Sequence, residues 1–236
     1  VFKKIAFNEN GSKIAYLFCA NKDSASTRSS LYLAEDNTPS KLIAKRGDKA
    51  FPTSWIISES GTLHFSTDAN RLFFGTAPEP RQKDTTILAE NRPDVQVWSW
   101  DEKVQYTQQS FNKASDLKRS YTAVYNIGSK HLFQLATEEL PSLQTADEGN
   151  APLALLSTSK PYGTQNFYDI YTVDLETGER RQIKEKSPSY MRFSPKGKYA
   201  YWYQEQDSSW YTRSMTDGKE YRLTTPETFI AWNEDN

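Results

Sequence analysis

The feature that most constrains this chain is a hairpin turn that returns with altered letters and the same chemistry. "FNENGSKIAY" runs from Phe7 to Tyr16, "FSTDANRLFF" from Phe65 to Phe74, and "FSPKGKYAYW" from Phe193 to Trp202. In each, an aromatic closes one strand, small polar residues turn, and a second strand follows. Gly11, Ala69 and Gly197 share the fifth position. Glycine there permits a positive φ, and Asn70 beside Ala69 tolerates one. A degenerate copy lies at "LPSLQTADEGNAPLALLSTS", with Leu143 in the aromatic's place and Glu148-Gly149-Asn150 as the turn. A fifth copy starts at Trp232 and stops at Asn236. The two later spacings fit a four-stranded propeller blade of about 40–50 residues, and the two earlier ones need insertions.

A second hairpin follows in every interval. It reads "SSLYLAEDNTPSKLIA" with a turn at Asp36-Asn37, then "YTAVYNIGSKHLFQLA" turning at Gly128-Ser129. The later two are "YDIYTVDLETGERRQI", turning at Thr177-Gly178, and "WYTRSMTDGKEYRLTT", turning at Asp217-Gly218. Turn dipeptides flanked by alternating residues are the strongest short-range hairpin signal. Each interval thus holds four strands, and no segment carries an amphipathic helix pattern. Four such units in series favour radial blades over a sandwich, which stays as the alternative. The expected fold is all-β: a partial β-propeller of about four four-stranded blades. The blades are placed at residues 1–48, 49–139, 140–186 and 187–226, with 227–236 opening a further one. The second interval carries extra material. Residues 76–92 read as an exposed excursion, and "DVQVWSW" as a strand with Val95 and Val97 on one face and Trp98 and Trp100 on the other.

Aromatic residues make up 14% of the 236, which separates the chain from disordered sequences. Net charge is -1 with no basic stripe, so nucleic acid is not an expected partner. No apolar run reaches the ~18 residues of a membrane helix, and no membrane association is expected. The single cysteine, Cys19, excludes an internal disulfide, and its apolar flanks predict a buried strand position. The chain begins inside a strand with neither Met nor a signal peptide, and ends where a strand meets a turn. Domains usually start and stop in loops, so a piece of a longer polypeptide is expected. Periplasmic export is the expected location, with the cytoplasm as the alternative.

Catalytic motifs are missing. There is no G-x-S-x-G, no Gly-rich phosphate loop and no ligand-spaced His, Cys or carboxylate cluster. His64 and His131 are read as structural. No catalytic, metal or cofactor residue is assigned, no cofactor is expected, and the substrate contacts are left open. Asn10-Gly11-Ser12 has the form of a glycosylation sequon, yet Asn-Gly is a favoured turn pair and the turn reading is preferred. Trp100-Asp101 is a Trp-Asp dipeptide without the upstream Gly-His of the propeller class that uses one. The aromatics Tyr199, Tyr201, Trp202, Tyr203, Trp210 and Tyr211 are expected to pack blade on blade rather than grip a ligand.

"RPDVQVWSWDEKVQYTQ" (Arg92 to Gln108) resembles the Pro-Asp-aliphatic-x-aliphatic-Trp-x-Trp segment in the amino-terminal propeller of bacterial serine peptidases of the prolyl oligopeptidase and dipeptidyl peptidase type. "RFSPKGKYAYWY" resembles their recurrent blade turn, with Lys196 where Asp is usual, a turn also shared by TolB-like propellers. "TFIAWNEDN" resembles the start of a segment after which such proteins continue into further blades. The resemblance implies a non-catalytic propeller segment that gates short peptides to a carboxy-terminal α/β-hydrolase domain absent from this chain. It carries over no catalytic residue. Glu138-Glu139 follows a hairpin and does not match the family's substrate-holding glutamate pair. A TolB-like interaction scaffold is the alternative, and a carbohydrate-active propeller is weaker, because no carboxylate pair stands out. Raw edges on a partial wheel predict self-association of the isolated chain.

Overall fold

The computed structural model describes residues 1–20, 29–36, 38–80, 99–101 and 104–225. Its strands fall into three antiparallel sheets. The first holds β1 (Phe2–Phe7), β2 (Lys13–Cys19), β3 (Ser29–Glu35) and β4 (Lys41–Ala44), followed by β5 (Trp55–Ile57), β6 (His64–Phe65), β7 (Arg71–Pro78), β8 (Tyr121–Asn126) and β9 (His131–Gln134). The second is β10 (Ser142–Thr145), β11 (Leu153–Thr158), β12 (Tyr168–Asp174) and β13 (Arg180–Ser187). The third is β14 (Arg192–Phe193), β15 (Tyr199–Gln204), β16 (Ser209–Ser214) and β17 (Glu220–Arg222).

Within each unit the strands pair in chain order, and first strands of neighbouring units approach one another: β1 nears β6, and β10 nears β14. Meanders whose first strands converge are the blades of a propeller. The fold is therefore an all-β propeller segment.

Two details differ from four equal blades. A single bridge, Ser29 to Ile57, joins the first two units into one nine-stranded sheet. The first strand of the second unit is split, because β5 and β6 both pair with the long β7. The residues between them fold back so tightly that a Cβ on Gly61 would lie 2.4 Å from the Gly75 Cα. Lys3 pairs with Glu59 at 3.3 Å and Lys4 donates to the Gly61 carbonyl, tying this insertion to β1.

The recurrent turns adopt the geometry their sequences demand, with φ of 74° at Gly11, 54° at Ala69 and 69° at Gly197. At the second turn the left-handed residue is Ala69, not Asn70. Asp68 explains this: its carboxylate accepts from the Asn70 backbone and side-chain amides and from Ser66. That clamp holds the turn against the ~1–2 kcal/mol steric cost of a left-handed alanine.

Alternation puts Ala15, Leu17, Leu31 and Leu33 of the first blade against the second. Leu72, Phe73, Phe74, Ala123 and Val124 carry that core through to Leu156, Val173 and Leu175 of the third blade. A smaller cluster, Leu155, Ile170, Met191, Phe193, Ala200 and Trp202, lies between the third and fourth. The second sheet, which is the third blade, is thus apolar on both faces, as a layer between layers must be. The first blade's other face is uncovered among the described residues: Phe2, Ile5 and Phe7 are 70%, 62% and 57% exposed.

Three sequence expectations need correction or qualification. A helix, α1, spans Tyr106–Asp116. None of its residues is buried and Phe111 is exposed; Tyr106, Phe111 and Ala114 are its apolar residues, too few to stand out as a stripe, while its Gln, Lys and Ala are ordinary helix formers. The fourth-blade aromatics divide by alternation. Trp202 and Tyr211 stack at 5.6 Å within the joint to the third blade, whereas Tyr201 and Tyr203 meet Trp210 on the opposite face and Tyr199 is exposed. The strand read at "DVQVWSW" lies outside the described residues except for its end, where Trp100 is 98% exposed, and the fifth turn at Trp232 lies wholly outside them.

Candidate functional site

The four first-hairpin turns stand in a row and are bonded blade to blade. Lys13, the first residue of β2, donates to the Ala69 carbonyl at 2.8 Å. Arg71, the first residue of β7, does the same one blade on. Its buried guanidinium donates to the carbonyls of Gly149, Asn150 and Ala151 and to Glu176 at 2.9 Å. The Asp68 amide donates to Asn150 Oδ1 at 3.0 Å, and Thr67 to the Glu148 carboxylate. The last joint uses the opposite polarity. Lys196 reaches back from the fourth turn to Asp147 at 2.6 Å, and the Asp147 amide donates to the Pro195 carbonyl at 2.8 Å.

Away from these turns, the joint between the third and fourth blades opens into a cleft of ≈ 440 Å³. That volume lies within the ~300–1,000 Å³ range of small-ligand sites. Leu155, Ile170 and Met191 are its buried apolar floor. Ser142, Ser157, Thr158 and Ser159 supply hydroxyls along one wall, and Gln144 spans the joint by accepting from the Phe193 amide at 3.2 Å. Tyr168 and Tyr190 meet edge to face at 6.1 Å on the rim.

The opposite wall is the link from β13 to β14. Lys186 takes a left-handed φ of 47°, Ser187 Oγ donates to the Ser189 carbonyl at 2.6 Å, and Ser189 Oγ donates to the Tyr203 carbonyl. These bonds set Tyr190 and Arg192 side by side. Arg192 lies over the Tyr190 ring, 5.1 Å from its centroid, and donates to Tyr190 Oη at 2.8 Å. Among the described residues no carboxylate forms an ion pair with Arg192. The Asp169 carboxylate, which is not part of the lining, accepts from Tyr162 Oη and from the Lys186 amide at 2.9 Å. The Asp169 hydrogen bond pushes the Tyr162 phenol up to about 12.

A second cleft of ≈ 430 Å³ opens at the turn end of the same joint, and several of its charged side chains are engaged. Arg213 pairs with Glu220 at 3.0 Å, and Asp174 accepts from the Glu176 and Thr177 amides.

Neither histidine lines either cleft. His64 stacks on Phe73 at 5.1 Å, and burial lowers its pKa. His131 sits edge-on to Phe133. Cys19 is buried in β2. Asn10 Oδ1 accepts from the Ser12 amide at 3.0 Å, so the Asn10 side chain is part of its own turn. Glu138 and Glu139 are exposed, and Glu139 pairs with Lys160 at 4.0 Å. The cleft had no counterpart in the sequence reading, since its lining comes from four strands and a link. The only local hint was Tyr190 and Arg192, two residues apart and flanking a buried methionine.

No family model matches the chain, and no curated protein sequence matches it. Solved structures that resemble it include a prolyl endopeptidase, at 11% identity and a TM-score of 0.44, over 95% of this chain and 29% of that one. The β-propeller domain of the Trilobed protease from Pyrococcus furiosus gives 10% identity and a TM-score of 0.41, over 94% of this chain and 56% of that one. TolB from Acinetobacter baumannii gives 16% identity and a TM-score of 0.30, over 95% of this chain and 55% of that one. The chain thus spans less than a third of the prolyl endopeptidase and just over half of the other two. The assignment of a propeller segment rests on the sheets and joints described above.

Proposed function

We propose that this chain is a non-catalytic propeller wall of a serine peptidase. Its blades stand around an axis and admit short, unfolded peptides to an α/β-hydrolase domain encoded outside these 236 residues. The observation that supports this reading is the approach of first strands, β1 to β6 and β10 to β14, which is what blades arranged around an axis require. The action is steric: bonded joints keep the wall rigid, and a folded protein is too wide to pass. Peptides and the hydrolase domain are the expected partners, and a periplasmic location goes with this reading. Among the described residues no helix is long and apolar enough to cross a membrane.

The uncovered apolar face of the first blade favours a second reading, a propeller scaffold that binds a protein. Exposed sheet edges and faces also support self-association of the isolated chain.

The coding frame beyond Asn236 separates the two readings. Further blades followed by G-x-S-x-G and a downstream Asp and His support the peptidase wall, and a stop after two or three blades overturns it. The chain alone is expected not to hydrolyse chromogenic peptide esters. Turnover that a serine-directed inhibitor abolishes would contradict the non-catalytic assignment.

A further inference from the structure

We infer that the cleft between the third and fourth blades binds the carboxy-terminal end of a short peptide, with the terminal carboxylate on Arg192 and an apolar last side chain on Leu155, Ile170 and Met191. This goes beyond a steric wall, which needs no binding site.

The two ends of this joint treat their arginines differently. At the turn end of the joint, Arg213 has Glu220 as its partner. At the far end, Arg192 has none among the described residues, yet it is held in place by the Tyr190 ring and hydroxyl. A guanidinium offers five donors in a planar fork, and one bond to Tyr190 leaves donors for both oxygens of a carboxylate. On β12 it is Tyr168 and Ile170 that line the cleft, while Asp169 between them does not and is bound to Tyr162 and the Lys186 amide.

The floor selects the rest of the ligand. Leu155, Ile170 and Met191 are 4%, 1% and 5% exposed and present apolar surface beneath the cation. Ser142, Ser157 and Ser159 line the cleft beside Leu155 with hydroxyls that donate or accept, which suits peptide N–H and C=O groups. An anionic end, an apolar side chain and an amide backbone together describe a peptide with a free carboxy terminus.

The test is titration calorimetry of the full chain with acetyl-Ala-Ala-Leu as its free acid and as its carboxy-terminal amide. The acid is expected to bind about tenfold more tightly than the amide, the effect of one charge-assisted hydrogen-bonded pair. Added salt should shrink the difference. Arg192→Gln, an exposed position, should keep the thermal unfolding transition and remove the preference, and Arg192→Lys should restore part of it. Ser142→Trp, at the exposed rim, should weaken acid and amide together. Equal binding of the two peptides, no binding to cooperatively folded protein, or a preference that survives Arg192→Gln would each overturn the proposal. None of these results bears on the wall reading, which the coding frame decides.

Discussion

The joint between the second and third blades and the joint between the third and fourth each bring two first-hairpin turns together, but they are closed by different physics. In the first, a buried cation fills the seam. Arg71 satisfies three carbonyls and Glu176, Asn126 donates to the Leu175 carbonyl at 2.7 Å, and Arg180 reaches the Gln134 and Leu135 carbonyls. The apolar core runs through it unbroken. In the second, an exposed lysine meets an aspartate, the core is smaller, and clefts open at both ends. One joint spends its surface on cohesion and the other leaves surface free. The free surface is where a ligand has room.

Substitutions that strike the two joints separately sharpen this contrast. The largest expected effect is at Arg71. Arg71→Ala leaves buried carbonyls without a donor and should lower unfolding free energy by about 3 kcal/mol, read from the urea midpoint at constant slope. An effect no larger than that of an exposed ion pair would remove the distinction between the joints.

Next comes a matched glycine pair. Gly149 has φ of 88°, and an added Cβ would lie 2.7 Å from Cε2 of the buried Phe73. Gly197 has φ of 69°, and its Cβ would lie 3.0 Å and 3.1 Å from the methyls of Ala146 and Ala151. Both substitutions meet left-handed strain, but only the first also overpacks a core aromatic. Gly149→Ala should cost about 3 kcal/mol and Gly197→Ala about 1–2 kcal/mol in the same denaturation experiment. The reverse order would mean that the fourth blade is held as tightly as the third.

A smaller effect of opposite sign is expected at Ala69, whose left-handed backbone glycine accepts without strain. Ala69→Gly should stabilise by about 0.5–1 kcal/mol, with the flexibility that glycine adds to the unfolded chain offsetting part of the relief. A loss of stability would show that the alanine methyl matters more than its strain.

The mildest is a pH effect at Asp68. Burial raises its pKa, but hydrogen bonds from Ser66 and Asn70 and the Arg71 charge outweigh that and hold it below the usual carboxylate range. A carboxyl whose folded pKa is depressed contributes stability above its unfolded pKa near ~3.9 and loses it as pH falls through the folded value. Between about pH 5 and pH 2 the parent chain should lose more stability than Asp68→Asn. Parallel acid limbs for the two proteins would sever Asp68 from the joint.

Much of the fold is legible in the letters because hairpins are local. The turn residues fix where the chain reverses, and period-two alternation fixes which side chains share a face. Ile170 and Val173 illustrate the limit. Alternation and bulk mark both for burial, yet Ile170 faces the fourth blade and Val173 the second, a choice made by neighbours far away in sequence. The helix Tyr106–Asp116 is hard to read for the converse reason: it buries nothing and has few apolar residues, so its pattern is faint. The cleft is the least legible part. Gln144, Ser157, Tyr168 and Arg192 are separated by up to 48 residues, counted from 144 to 192, and no one of them is unusual in its own strand.

What the sequence determined by itself is the repeat: turns with a residue able to take positive φ, flanked by alternating strands, several times over. Those are properties of each residue's own backbone and its nearest neighbours, so they survive without knowledge of the rest. Only the tertiary structure decided how the repeats meet. It placed Arg71 in a buried seam and Lys196 on an exposed one, and it left Arg192 over a tyrosine ring at the mouth of an apolar cleft. Charge has no direction until a partner's position is set, and those positions belong to the packing of one blade on the next.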